Sequence, residues 1–145
     1  MDLVNFDTTK CLEELEAVRK ATSNWSSMAS KGNKLRKKAL KDFTNEELRL
    51  SISQNSSLKY LVPLAIERLL KDPLAKGDIY QGDLMNAVLT VEKKFWVDDL
   101  NGYIPMLKFI IEKALSTVKA NPDDYKKYMQ RSAHAIKLFQ ENIML

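Results

Sequence analysis

Apolar residues recur along most of the chain at the three- and four-residue spacing of amphipathic helices. The most continuous example runs from Leu58 to Leu70 and is predicted to be a long central helix. Pro63 lies inside it, and because proline has no N–H and clashes with the preceding turn, a kink is expected there. No segment alternates apolar and polar residues in the manner of a strand. The pattern therefore predicts an all-α, compact array of six or seven helices, forming a single domain over residues 1–145.

Helix starts are marked by capping residues and by proline. Thr44 and Glu47 have the spacing of a capping box, which predicts a helix over about 45–53. Asn121 followed by Pro122 is a start signal for the last helix, because proline fits the first helical turn. Other expected features are helices over about 12–22 and 104–118, a polar loop at 23–33, a cap at Ser56 or Ser57, an irregular loop at 72–82, a short helix capped by Asp83, and a helical turn at Phe95–Trp96.

The residues that carry most enzyme chemistry are scarce. Cys11 is the only cysteine and His134 the only histidine, so an internal disulfide, a cysteine zinc site and a histidine-rich metal centre are excluded. Glycine-rich phosphate loops, the dinucleotide fingerprint, the metalloprotease helix motif and the nucleophile elbow are all missing. The sequence therefore predicts a protein without a cofactor or a catalytic site.

The chain also lacks the patterns of exported and membrane proteins. Its first residues carry acids and no basic stretch, which argues against a secretory signal peptide. The longest uninterrupted apolar run, Tyr60 to Ile66, is far shorter than a bilayer span. Together with the lone thiol, these features predict a cytoplasmic protein that makes no contact with a membrane.

The formal net charge is +4, with the positive excess in the two terminal thirds of the chain. One basic run, Lys31 to Lys41, has no acid within it, and a helix there would place Lys34, Lys37, Lys38 and Lys41 on one face. Such a stripe is an alternative that points to a helical nucleic-acid-binding protein. The other interpretation is a solvated helix face, because no aromatic residues interleave the lysines.

A series of short motifs gives the chain a family resemblance. The segments that carry it are Leu12–Glu16, Leu35–Thr44, Glu47–Arg49, Leu58–Ala65, Asp72–Tyr80, Gly82–Leu84, Ala87–Leu89 and Phe95–Trp96. With their spacing, these motifs resemble the immunity proteins of bacterial contact-dependent growth inhibition (CDI) systems, and the resemblance is strongest over residues 10–97.

The resemblance implies a small cytoplasmic binding protein without enzymatic activity. Its partner would be the C-terminal toxin domain of a large exported surface protein from the same locus. Such toxins are often nucleases, and the immunity protein neutralises them by binding. Neither direct contact with nucleic acid nor a small-molecule substrate is expected on this reading.

Nuclease surfaces that hold nucleic acid are positive, so a blocking protein should present acids near exposed aromatic side chains. The segment 72–99 holds six acids and three lysines and is the first choice for this surface. The other interpretation makes its aromatic residues core and its acids helix caps. The candidate toxin-binding residues are Glu67, Asp72, Asp78, Tyr80, Asp83, Trp96, Asp98 and Asp99.

Overall fold

The structure, a computed structural model, describes residues 3–16, 34–97, 99 and 101–143. Within these residues the regular structure is helical, which confirms the all-α prediction, and the only extended pairings are two isolated bridges, Cys11 with Ala39 and Lys76 with Gln81. The predicted loop at 23–33 and the end of the first helix lie outside the described residues. The helices are α1 (Leu12–Glu16), α2 (Asn45–Ser53), α3 (Leu58–Lys71), α4 (Asp83–Leu89), α5 (Tyr103–Lys119) and α6 (Pro122–Ile143), with 3-10 turns at Leu40–Asp42 and Lys93–Phe95.

Helix α2 begins where the local sequence predicts. The Thr44 side chain accepts the Glu47 N–H at 3.1 Å, and the Glu47 carboxylate accepts the Thr44 N–H at 2.9 Å, so the capping box is confirmed. Phe43 precedes the cap and Leu48 lies in the first turn, and both are buried. The helix thus enters the core with its first backbone donors satisfied.

Helix α3 follows the long apolar pattern and stops before Pro73, as predicted. It runs through Pro63, where the kink stays a prediction. Ser57 is at its N-cap, but with φ at 52° the side chain makes no capping bond. The expected serine cap is therefore wrong in its chemistry, because the Ser57 hydroxyl instead bonds the Glu16 carboxylate at 3.2 Å.

The short helix α4 lies at the centre of the fold. All seven of its residues are buried, and it packs against α2, α3 and α6. Helix α3 also contacts three neighbours, α2, α4 and α5, but exposes Lys59, Glu67 and Lys71. The centre of the molecule is therefore shared between the predicted central helix and the shorter one that follows it.

Helices α5 and α6 pack against each other and close the core. Gly102, with φ at 70°, turns the chain into α5, and the Asn121 side chain accepts the N–H groups of Asp123 and Asp124 at the start of α6, as predicted. Phe139 of α6 is fully buried and packs edge-on against Trp96, with ring centroids 5.5 Å apart. The last two helices are thereby part of the same core as the motifs before them.

Candidate partner-binding surface

The loop between α3 and α4, residues 72–82, is held in place along its whole length, and we call it the anchored loop. At its start the Asp72 carboxylate accepts the Leu74 N–H at 3.0 Å. The Lys76–Gln81 bridge closes its far end. Gly82, with φ at 91°, then turns the chain into α4, in a conformation that a residue with a Cβ rarely adopts.

The Asp83 carboxylate holds the tip of the anchored loop. Its two oxygens accept the N–H groups of Gly77 at 2.7 Å, Ile79 at 3.1 Å and Tyr80 at 3.4 Å. Only 3% of Asp83 is exposed. The prediction that Asp83 caps the short helix is therefore wrong: Gly82 is at the N-cap, and the carboxylate is used by the loop instead.

A second carboxylate, from α2, completes the anchor. The Glu46 carboxylate accepts the Asp78 N–H at 2.9 Å. It also accepts a bidentate pair of hydrogen bonds from the Arg49 guanidinium. Hydrogen bonding from Arg49 holds the pKa of Glu46 below its ordinary value, and the same bonding raises the pKa of Arg49. The Arg49 Nε also lies 3.9 Å from the Asp83 carboxylate. One guanidinium therefore neutralises both of the carboxylates that bind the loop.

Amide contacts tie the side of the anchored loop to α2 and α3. The Asn45 amide donates to the Lys76 carbonyl at 3.2 Å and accepts from the Arg68 guanidinium at 3.0 Å. Burial lowers the pKa of Arg68, against an opposing effect of Glu67. Sequence reasoning missed the anchoring roles of Asn45, Glu46 and Arg49, because nothing in the spacing of α2 pairs it with a loop some thirty residues later.

The anchored loop presents a small mixed surface to solvent. Asp78 is exposed, and Ile79 exposes 58% of its surface. Tyr80 is half-buried: its hydroxyl accepts the Asn86 amide at 2.9 Å, and its ring lies under the Arg131 guanidinium, 5.1 Å away. The loop therefore joins acidic, apolar and aromatic groups on one fixed backbone.

The remaining predicted residues fall into different environments. Glu67 on α3 and Asp72 are exposed. Trp96 is 2% exposed and belongs to the core, and Asp99 is half-buried and accepts the Tyr103 N–H at 2.8 Å at the start of α5. Asp98 lies outside the described residues. The structure thus connects Asp78, Tyr80 and Asp83 in one network, whereas Trp96 and Asp99 make none of its contacts. Asp83 supports the surface from inside, whereas Trp96 packs against Phe95 and Phe139.

The described part of the basic run, residues 34–41, is not one helix. A single helical turn covers 34–36, and a 3-10 turn begins at Leu40. Arg36 pairs with Glu16 and Lys38 with Glu47, each at 2.7 Å. The continuous helix that both interpretations of this run assume is therefore absent over 34–41, where the chain turns to bring Ala39 beside Cys11. The nucleic-acid hypothesis loses the helix face on which it depended.

The metal-ligating side chains of the described residues are not clustered. Nowhere in these ranges do three His, Cys, Asp or Glu side chains lie close enough to hold a metal ion. Cys11 is buried with its sulfur 3.3 Å from the Glu14 carboxylate, and His134 is exposed on α6. None of the described helices is long and apolar enough to cross a bilayer.

Comparison with known proteins assigns a family. Neither the curated proteins nor the solved structures provided a match. The family model described as CDI immunity proteins matches residues 13–103, more than half of the 145-residue chain. This match includes α2, α3, the anchored loop and α4, which are the elements that build the surface described above. The chain therefore belongs to the CDI immunity protein family, which supports an immunity role.

Proposed function

We propose that this chain neutralises the C-terminal toxin domain of a CDI surface protein by binding it directly in the cytoplasm, with no chemistry of its own. Family membership supports the immunity role. A toxin that kills at a few copies requires an inhibitor of nanomolar affinity or better, about −12 kcal/mol. An interface of about 1,600 Å² with a few buried anchors supplies that affinity.

The observation that carries the choice of surface is the anchored loop. Its backbone is bound by Asp83 and Glu46 before any partner arrives, so little conformational entropy remains to be lost on binding. Asp78 and Tyr80 lie on this loop, and Asp72 lies at its start. We place the toxin against this loop, with Glu67 of α3 at the margin.

The acids of this surface favour a toxin with a basic face, and a nuclease is the class we propose. Enzymes that hold nucleic acid present cationic groups to phosphates, and an inhibitor with exposed carboxylates covers such a face. Opposite charge raises the association rate and disfavours toxins of other loci.

Co-expression with the toxin domain encoded just upstream tests the proposal. We expect growth rescue and recovery of a stoichiometric complex. The control is co-expression with a toxin domain from an unrelated CDI locus, for which we expect no rescue. Killing that continues despite abundant folded immunity protein would contradict the proposal.

Charge reversal tests the surface. We expect Asp78→Lys to weaken toxin affinity by more than tenfold, because it places a cation against a basic face. Glu112→Lys, on the exposed side of α5, is the matched control and should change affinity less than threefold. Asp98→Lys, at a candidate residue outside the described ranges, is measured in the same series, whereas Asp99 is left out because its carboxylate accepts the Tyr103 N–H at the start of α5. Unchanged affinity in Asp78→Lys would show that the toxin binds elsewhere.

A further inference from the structure

Four large apolar side chains are exposed in the described part of the chain: Leu50, Ile79, Val97 and Phe109. Single exposed apolar residues are ordinary on protein surfaces, so exposure alone indicates nothing. Leu50 and Phe109 lie within helices, whereas Ile79 lies on a loop, where its backbone N–H is bound by the buried Asp83 carboxylate. The backbone of this isoleucine is therefore held in place while its side chain is exposed to water.

The fixation extends over four consecutive residues. The N–H groups of residues 77 to 80 all donate to Asp83 or Glu46, and the Lys76–Gln81 bridge closes the loop around them. Ordering a backbone residue costs conformational entropy, and folding has already ordered this segment. A partner that buries Ile79 therefore gains apolar burial with little ordering penalty.

The neighbouring charge indicates what surrounds the partner's pocket. The carboxylates of Glu46 and Asp83 are both committed to Arg49 and to loop N–H groups. The Asp78 carboxylate is exposed and forms no ion pair among the described residues, although its charge contributes with Glu46 and Asp83 to the raised pKa of Arg49. A cation on the partner is thus the group that fits beside the isoleucine.

We propose that Ile79 is the apolar anchor of the toxin interface, and that it enters an apolar pocket on the toxin domain with a Lys or Arg at the rim facing Asp78. This inference depends on the proposed function and deepens it. Anchors of this kind, buried at the centre of an interface, carry a large share of the binding free energy. Residues at the rim contribute to orientation and association rate.

The test measures the affinity of purified variants for the toxin domain encoded upstream, by titration calorimetry. We expect Ile79→Ala to weaken binding at least tenfold and Ile79→Leu to weaken it less. Phe109→Ala is the matched control: it removes a side chain that is 56% exposed, on α5, and should leave affinity within threefold. Circular dichroism and thermal melting confirm that each variant is folded.

A second variant separates the fixed backbone from the side chain. A Cβ at Gly77 would lie 2.6 Å from the Glu46 carboxylate and 3.1 Å from that of Asp83, so we expect Gly77→Ala to disturb the two carboxylates that hold the loop. We expect weaker binding although Ile79 is intact, and faster hydrogen exchange at the amide of residue 78. Exchange that accelerates while affinity stays unchanged would show that fixation of the loop is irrelevant.

The outcomes distinguish this inference from the proposed function. If the unmodified chain binds and Ile79→Ala weakens binding less than tenfold, the anchor is wrong and the immunity function stands. If the unmodified chain fails to bind the toxin domain, the proposed function is wrong and the anchor with it. If Ile79→Ala and Phe109→Ala weaken binding equally, the loop has no special role.

Discussion

At the scale of single residues, Asp83 shows how a buried charge is tolerated in this fold. Its carboxylate accepts three backbone N–H groups and faces the Arg49 guanidinium. A buried carboxylate without such partners would be neutralised or excluded from the core. Each hydrogen bond to a charged group contributes about 1.5–3 kcal/mol, so the same side chain that needs solvation also fixes the loop.

Tyr128 is the opposite case, a buried polar group with few partners. Its hydroxyl has no hydrogen-bond partner among the described residues that meets ordinary geometry. Burial raises the pKa of Tyr128 to about 12, and the Ser132 hydroxyl offsets only part of that rise. The neutral phenol is therefore strongly favoured in the folded state.

This raised pKa predicts a specific loss of stability in alkali. Below pH 10 the phenol is neutral in both states, and between pH 10 and 12 only the unfolded chain ionises it, which favours unfolding. We expect ionisation of Tyr128 to lower the free energy of unfolding by about 2 kcal/mol between pH 10 and 12. The Tyr128→Phe variant should lack this contribution. Urea denaturation at successive pH values measures it. A slope that is the same in Tyr128→Phe and in the unmodified chain would contradict this assignment.

At the scale of elements, α2 is the platform on which the anchored loop lies. Its first turn supplies both the capping box and the Glu46 carboxylate that binds the Asp78 N–H. Burial acts to raise the pKa of Glu47, but the hydrogen bonds from Lys38 and the Thr44 N–H together outweigh it, so the pKa is lowered. A change at the start of α2 should therefore reach the loop.

We predict that Thr44→Ala lowers the free energy of unfolding by about 1 kcal/mol, the usual cost of losing an N-cap side chain. Hydrogen exchange at the amide of residue 78 should also accelerate, because Glu46 is in the turn that loses its cap. Ser57→Ala is the control, since Ser57 is at the N-cap of α3 without a capping bond. An equal effect of the two substitutions on residue 78 would contradict the coupling.

Local signals in the sequence predict where the helices begin, but they do not predict which side chains hold the anchored loop. Thr44 with Glu47, and Asn121 with Pro122, act on N–H groups a few residues away, so spacing alone places the starts of α2 and α6. Asp83 offered the same signal, yet its carboxylate satisfies loop donors up to six residues before it. Which donors an acid serves depends on where the chain returns, and a pattern of spacings contains no such information.

The candidate surface follows from the sequence only in part, for the same reason. The acid content of segment 72–99 indicates a binding surface, and the structure places Asp78 and Tyr80 on the anchored loop, where their contact with a toxin stays a prediction. The sequence does not show whether Trp96 is exposed or buried, and in the structure it packs against Phe139 in the core. Lys34 to Lys41 had helical spacing, but the ion pairs and the bridge of Ala39 to Cys11 give the chain a tighter turn there.

At the scale of the whole molecule, the family match and the core do not end at the same place. The match ends at residue 103, where α5 begins, yet α6 packs on α4 and α5 packs on α3. Arg131 of α6 lies over the Tyr80 ring, and the Asn86 amide donates to the Arg131 carbonyl at 3.1 Å. We propose that the C-terminal helices are a structural requirement for the anchored loop, within one cooperative domain.

A core substitution far from the loop tests that cooperativity. Phe139 is fully buried on α6, and its truncation to alanine should cost about 3–5 kcal/mol of stability. If the molecule unfolds as one unit, the global transition by circular dichroism and the slowest exchange at the loop amides 77–80 should shift by the same free energy. Below its melting temperature the folded variant should bind the toxin with unchanged affinity, because Phe139 is fully buried and forms no part of the binding surface. Loop amides that keep their protection while α6 melts would instead show two independent units, and the C-terminal helices would then need a role of their own.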